Sequence, residues 1–339
     1  MIGRFVRRVT LVVLVILSCY VSSAYAAEGL SLLGVNLSGA ELNPEKLPGT
    51  LNQDYIFPTC QEIGYYARQG FNVIRLPVQW ERLQPLQSRP LSSYQILLIK
   101  GIVRCAGKLG MKLIIDIHNY GMGYGHLVGS PQTPDTAFAD VWSRLAKAFA
   151  DDRNVIFGLM NEPHVQTPAQ WLPAANAAIA AIRVAGARQE ILVPGVAWDG
   201  AWTWLSSGNA AVLGNGVKDP GNNFAFEVHQ YLDADGSGTH WGVVSTQVGV
   251  QRLSAITDWA RETHHSLFLG EFGVANNPPS LIALRNMLSY LAENASVWQG
   301  GTIWAGGAWW GNYPFSVAPA GGQTKPQLAI LRAFAPKRG

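Results

Sequence analysis

The chain lacks the short motifs that announce several common chemistries. "GVNLSGAEL" (Gly34 to Leu42), which follows the first strand-like run, holds no G-x-G-x-x-G. A dinucleotide site of the doubly wound kind therefore has no support. No H-E-x-x-H is present, and Val35-Asn36 stand where barrel metal hydrolases usually carry an H-x-H pair, so no metal is expected. No G-x-S-x-G elbow occurs, and "DGSGT" (Asp235 to Thr239) falls in a loop-like stretch, which weakens a serine triad. A Pro/Ser/Thr-rich linker, an internal repeat and a second zone of composition are also missing, so one domain without an appended binding module is expected.

Charge is scarce as well. Charged residues make up 14% of the 339 positions against 48% hydrophobic ones, enough apolar material for a sizeable core. The excess of 25 Lys+Arg over 22 Asp+Glu disappears if the first 26 residues are set aside, because they hold Arg4, Arg7 and Arg8 and no acid. A neutral body argues against nucleic acid or an anionic membrane as partner and suits a neutral one.

That N-terminal stretch reads as a secretory signal. Basic residues precede an apolar run from Val9 to Val21, and Ala24-Tyr25-Ala26 gives an A-x-A cleavage site after residue 26. The run is shorter than the roughly 20 residues of a membrane span. A second reading takes "ILSC" as a lipoprotein box with Cys19 as the lipidated residue, the one route to a membrane association. A secreted or extracellular protein is expected, with domain boundaries at 1–26 (signal) and 27–339. Of the three cysteines, Cys60 and Cys105 then remain. Export permits a disulfide between them, but both lie in helix-like stretches where a buried free thiol fits equally well.

Short apolar runs alternate with stretches of helical period throughout the rest of the chain. The runs are Ser31–Asn36, Asn72–Val78, Lys112–His118, Val155–Asn161, Glu190–Val196, Phe224–Tyr231, Ser266–Phe272 and Gly301–Gly307. Helices are expected over Ser92–Leu109, Thr136–Ala150, Ala169–Ala187, Thr246–His264 and Pro279–Asn294. The fifth crossover, rich in Gly, Asn and Trp, reads as a long loop with a short helical piece. Eight such units predict an α/β fold, a single-domain (β/α)8 TIM barrel.

In that fold the active face lies at the C-terminal ends of the strands. The residues found there are Asn36, Arg75, His118, Asn161-Glu162, His229, Tyr231, Glu271 and Trp304. Alone, each is explicable as a satisfied buried polar group; together they point to one site. Glu162 and Glu271 supply the two carboxyl groups of glycoside hydrolysis, one protonated to donate to the leaving oxygen and one ionised to attack. Twelve tryptophans add apolar platforms suited to sugar faces. Trp80, Trp198, Trp202, Trp204, Trp241, Trp304, Trp309 and Trp310 fall at loops or strand ends, while Trp142, Trp171, Trp259 and Trp298 fit helix cores.

The ordered set Arg75, "DIHNY" (Asp116 to Tyr120), "LMNEPH" (Leu159 to His164), "HQYLDADGSGT" (His229 to Thr239), "GEFG" (Gly270 to Gly273) and Trp304 resembles glycoside hydrolase family 5, in its endo-β-1,4-glucanase branch. The resemblance implies a retaining cellulase with Glu162 as acid/base and Glu271 as nucleophile. It implies Asn161 on the sugar 2-hydroxyl, Arg75 and Tyr231 holding the nucleophile, His118 and His229 lining the site, and Trp304 under the cleaved residue. It implies no cofactor, a β-glucan polysaccharide as partner, and a monomer. Mannanases, mixed-linkage glucanases and xyloglucanases share this set.

Overall fold

The computed structural model describes residues 29–319 and 321–337. The expected signal and Cys19 lie outside the described residues. Ten strands and nine helices are assigned among the described residues. Strands β1 (Leu32–Leu37), β2 (Val73–Val78) and β3 (Lys112–Ile117) are followed by a hairpin, β4 (Met122–Gly123) with β5 (His126–Leu127). Then come β6 (Val155–Gly158), β7 (Ile191–Pro194), β8 (Phe224–His229), β9 (Leu267–Phe272) and β10 (Trp298–Gly306). All except the hairpin form one closed barrel in the order β1-β10-β9-β8-β7-β6-β3-β2, with parallel pairing throughout. The TIM barrel expected from the sequence is the fold observed.

The helices are α1 (Cys60–Arg68), α2 (Trp80–Leu83), α3 (Ser93–Lys108), α4 (Asp135–Phe149), α5 (Pro168–Val184), α6 (Asn209–Gly216), α7 (Val248–Thr263), α8 (Pro278–Glu293) and α9 (Pro326–Arg332). Local chemistry sets their starts. Thr167 and Gln170 form a reciprocal capping box with Pro168 in the first turn of α5, and Asn277 accepts from Ser280 N at 3.1 Å to open α8. The fifth crossover is a long loop with one short helix, α6. Cys60 and Cys105 are joined in a disulfide that ties α1 to α3, which settles the choice left open by the sequence. No described helix is long and apolar enough to cross a membrane.

The barrel interior explains where polarity begins. Leu32, Val73, Ile114, Ile156, Leu192, Ala225 and Phe268 fill its lower part as one apolar cluster. Strand side chains alternate faces, so the residue two further along points inward again, one layer nearer the C-terminal rim. Val73 is thus followed by Arg75, Ile114 by Asp116 and Ala225 by Glu227, all three fully buried. Phe268 is followed by Gly270, where an added Cβ would run into the Glu227 carboxylate, so glycine makes the room that this acid needs.

Candidate active site

Arg75 is the hub of the polar layer. Its Nη1 donates to Asn36 Oδ1 and to Glu271 Oε1, each at 3.0 Å, and its Nη2 to Asn161 Oδ1 at 2.8 Å. It also pairs with Asp116 at 3.2 Å and, through Nε, with Glu227 at 2.7 Å. Burial opposes its charge, yet Asp116, Glu227 and Glu271 outweigh that penalty and hold the guanidinium above its ordinary value. Glu227 shows the converse balance: burial pushes its carboxyl up, and Arg75 with His229 brings it below the usual range.

Glu271 and Glu162 face each other across this layer. Glu271 ends β9, with Oε1 on Arg75 and Oε2 accepting the Tyr231 hydroxyl at 2.8 Å. Glu162 follows β6 and meets His229 Nδ1 at 2.7 Å. That same imidazole nitrogen lies 3.8 Å from Glu271 Oε2, and one oxygen of each glutamate and a ring nitrogen of His229 lie within 4.8 Å of one another. Burial disfavours the imidazolium, but Glu271, Glu162 and Glu227 surround it and raise its pKa well above the ordinary 6.5. The imidazole thus stands between the two glutamates.

The remaining expected residues converge on the same place. His118 is buried with Nδ1 2.8 Å from Asp116, and the Trp304 indole stacks parallel to its ring at 5.7 Å. Asn161 Oδ1 accepts from Arg75, while the buried Asn161 Nδ2 has no partner among the described residues. Asn36 donates to the Gly270 and Thr302 carbonyls at 2.9 and 3.1 Å and so braces β1 against β9 and β10.

The family model "Cellulase (glycosyl hydrolase family 5)" matches residues 34–307. The chain belongs to glycosyl hydrolase family 5. Among curated relatives, Endo-beta-1,4-glucanase A of Emericella nidulans is 38% identical over 312 residues, covering 91% of this chain and 94% of the relative. Among solved structures, an endo-beta-1,4-glucanase from Xanthomonas axonopodis pv. citri superposes with a TM-score of 0.88 at 47% identity, over 90% of this chain and 98% of the other. The structure of XacCel5A in complex with cellopentaose gives 0.89 at 49%, over 90% and 99%. As a family 5 member the protein is a glycoside hydrolase.

Several residues of this family 5 site escaped the sequence reading. Glu227 was in view inside "FAFEVH", and the signal was its parity with Ala225 and His229 along β8. Asp199 carried no such signal. Its Oδ2 accepts Glu162 N at 3.0 Å and its carbonyl accepts His229 N at 2.8 Å, from a loop in which Ala197, Trp198 and Asp199 all have positive φ (58°, 61°, 54°). Burial, with Glu227 and Glu162 close by, pushes the Asp199 carboxyl well above its usual range despite the opposing pull of His229. His164, which the sequence left without a role, stacks flat on Trp198 at 3.7 Å.

Three tryptophans require correction. Trp298 is buried as expected but opens strand β10 rather than lying in a helix, its indole Nε1 donating to Thr257 of α7 at 2.9 Å. Trp80 and Trp204 are fully buried: Trp80 packs in α2 against Tyr124 and Phe138, and Trp204 against Phe226 and Trp259. Proximity to a strand end did not mean exposure, because short helices and loops fold back over the barrel there. Trp198, Trp202, Trp241 and Trp309 are exposed by 52, 51, 48 and 41%. Trp198 and Trp202 line a cleft of about 960 Å³ that also takes in Glu162 and His229.

Proposed function

We propose that the protein is a secreted, retaining endo-β-1,4-glucanase that acts as a monomer on cellulose or related β-glucans. The observation that carries the retaining mechanism is the closeness of the two carboxylates, with oxygens of Glu162 and Glu271 within 4.8 Å. Retaining enzymes hold their carboxyl groups at about 5–5.5 Å, whereas inverting ones need about 6.5–9.5 Å to admit a water between acid and sugar. The likeness to endo-beta-1,4-glucanases of Emericella nidulans and Xanthomonas axonopodis pv. citri supports the β-1,4-glucan as substrate, and the A-x-A leader supports export.

Each residue then has a step. Glu271, held and aimed by Arg75 and Tyr231, attacks the anomeric carbon; Glu162 gives its proton to the departing glycosidic oxygen. A covalent glycosyl-enzyme forms, and Glu162, now a base, takes a proton from the water that releases the sugar with its configuration retained. His229 at 2.7 Å steadies the Glu162 carboxylate after it has donated. The unpartnered Asn161 Nδ2 is a donor for the sugar 2-hydroxyl, an interaction that strengthens as positive charge builds on the ring. Trp304 forms the apolar floor under the cleaved residue.

The test is hydrolysis of carboxymethylcellulose, barley β-glucan and mannan by the wild type and by Glu271→Gln. Turnover of the glucans that vanishes in the variant while polysaccharide binding persists is expected. Dominant mannan hydrolysis would remove the glucanase assignment, and an active Glu271→Gln would remove the role given to Glu271.

A further inference from the structure

The Trp304 indole needs a fixed tilt if it is to lie flat under a sugar, and β10 alone does not set it, because two side-chain torsions turn the ring. His118 stacks on it at 5.7 Å, yet the residue stays partly exposed. Further contacts come from the segment that follows β10. Trp310 meets the indole edge-on at 5.7 Å and is itself held by donation from its Nε1 to the Gly306 carbonyl at 3.2 Å. Tyr313 then stacks on Trp310 with ring centres 4.6 Å apart.

The Tyr313 hydroxyl stands between the floor of the site and its proposed nucleophile. Burial and the nearby Glu271 push the phenol above its ordinary value, while the Trp304 indole N–H, hydrogen-bonded to the phenol oxygen, pulls the other way. The backbone around Tyr313 is pinned: its N–H donates to the Trp310 carbonyl at 3.0 Å, and its carbonyl accepts from Ser316 N at 2.9 Å. Phe315 tilts against Tyr313 at 5.5 Å and stacks on Tyr231 at 6.2 Å. Trp241, from the loop after β8, meets Tyr313 and Phe315 edge-on at 5.8 and 5.5 Å. One segment therefore braces both Trp304 and, through Phe315, the tyrosine that holds Glu271. The packing leaves no slack, since a Cβ added at Gly273 would meet the Trp304 carbonyl and the Phe315 ring within 3 Å.

We propose that Tyr313 is a positioning residue for the reaction: its hydroxyl and its stack on Trp310 set the tilt of the Trp304 indole under the sugar being cleaved. This rests on the β-glucanase reading above. That sugar ring flattens as oxocarbenium character develops, so a misaligned floor costs more in the transition state than in the bound ground state. Both displacement steps pass through such a state, and the loss belongs in kcat rather than in KM.

The test uses Tyr313→Phe, which removes the hydroxyl and keeps the ring. On cellopentaose and on an aryl β-cellobioside, both of which place a glucosyl residue over Trp304, kcat should fall by about three- to tenfold, the scale of one hydrogen bond, with KM within about twofold and Tm unchanged. A double-mutant cycle with Trp304→Phe, which has no N–H to donate, isolates the contact. It is read on the aryl β-cellobioside, whose activated leaving group keeps slow variants measurable. In the Trp304→Phe background, Tyr313→Phe should cost less than about twofold. Losses that multiply, an unchanged kcat in Tyr313→Phe, or a kcat loss matched by an equal loss of folded enzyme each overturn the positioning role alone. A wild type inert on both substrates overturns the β-glucanase reading and the positioning role with it.

Discussion

Asp199 Oδ2 accepts the backbone N–H of Glu162 at 3.0 Å, at a position where Glu162 itself has φ +45°. Because the Asp199 carbonyl also accepts His229 N at 2.8 Å, one residue sets the backbones of both the proposed acid and its imidazole partner. Removing the side chain leaves the part-buried Glu162 N–H without its acceptor, a loss of up to about 3 kcal/mol, and releases a backbone conformation that non-glycine residues rarely adopt. Asp199→Ala should therefore lower kcat by about ten- to a hundredfold with KM within about twofold. Asp199→Asn, which keeps an oxygen acceptor, should stay within a few-fold of wild type. Steady-state kinetics on a soluble glucan check this; wild-type kcat in the alanine variant would remove Asp199 from the account.

The Tyr231 hydroxyl at 2.8 Å from Glu271 Oε2 is a hydrogen bond to the proposed nucleophile. Hydrogen bonds to charged groups contribute about 1.5–3 kcal/mol, so Tyr231→Phe should reduce kcat/KM by about 10- to 150-fold. Burial and the adjacent Glu271 hold the phenol above its ordinary value, so the hydroxyl stays a donor across the working range, and the deficit should not depend on pH between 5 and 8. A deficit that closes within that range would contradict the role given to this contact.

Arg75 is expected to matter for stability as well as chemistry. It neutralises Asp116 and Glu227, both fully buried, and a buried ion pair that loses one partner costs about 3–5 kcal/mol. Arg75→Met should destabilise the fold by that amount, and adding Glu227→Gln should recover part of it. Denaturant unfolding of the two variants measures the difference; equal stabilities would mean that Glu227 is not stranded by the loss of Arg75.

His229 gives the pH dependence a sign. Folding raises its pKa well above 6.5 through Glu271, Glu162 and Glu227, which outweigh burial. The folded state thus binds this proton more tightly than the unfolded one. The resulting stabilisation is fully present below about pH 6.5 and is lost as pH climbs through the folded value. Wild-type Tm should fall between pH 6.5 and 9 more steeply than that of His229→Gln, and parallel profiles would contradict the assignment.

The barrel and most of its site were legible because both follow from strand periodicity. Eight apolar runs gave the eight barrel strands within a few residues at each end, and the polar residues that ended them converge in space: Arg75, Asn161, His229, Tyr231 and Glu271 all touch. Glu227 and Asp116 were harder to single out, because a charge inside an apolar run declares its face only once the strand's inward parity is known. Asp199 could not have been found from pattern. It reaches Glu162 through a loop of consecutive left-handed residues, a geometry with no periodic signature. Trp80 and Trp204 were misplaced because chain position near the rim says nothing about which loops cover it.

The central claim is double displacement by Glu162 and Glu271 on a β-1,4-glucan. Proton NMR of the anomeric region during the first minutes of cellopentaose hydrolysis tests it most directly, because it reads linkage, internal cleavage and stereochemistry together. The account predicts that the newly formed reducing ends appear first as the β-anomer and only then mutarotate. Initial appearance of the α-anomer would mean inversion and would contradict the account, whatever the distance between the two carboxylates.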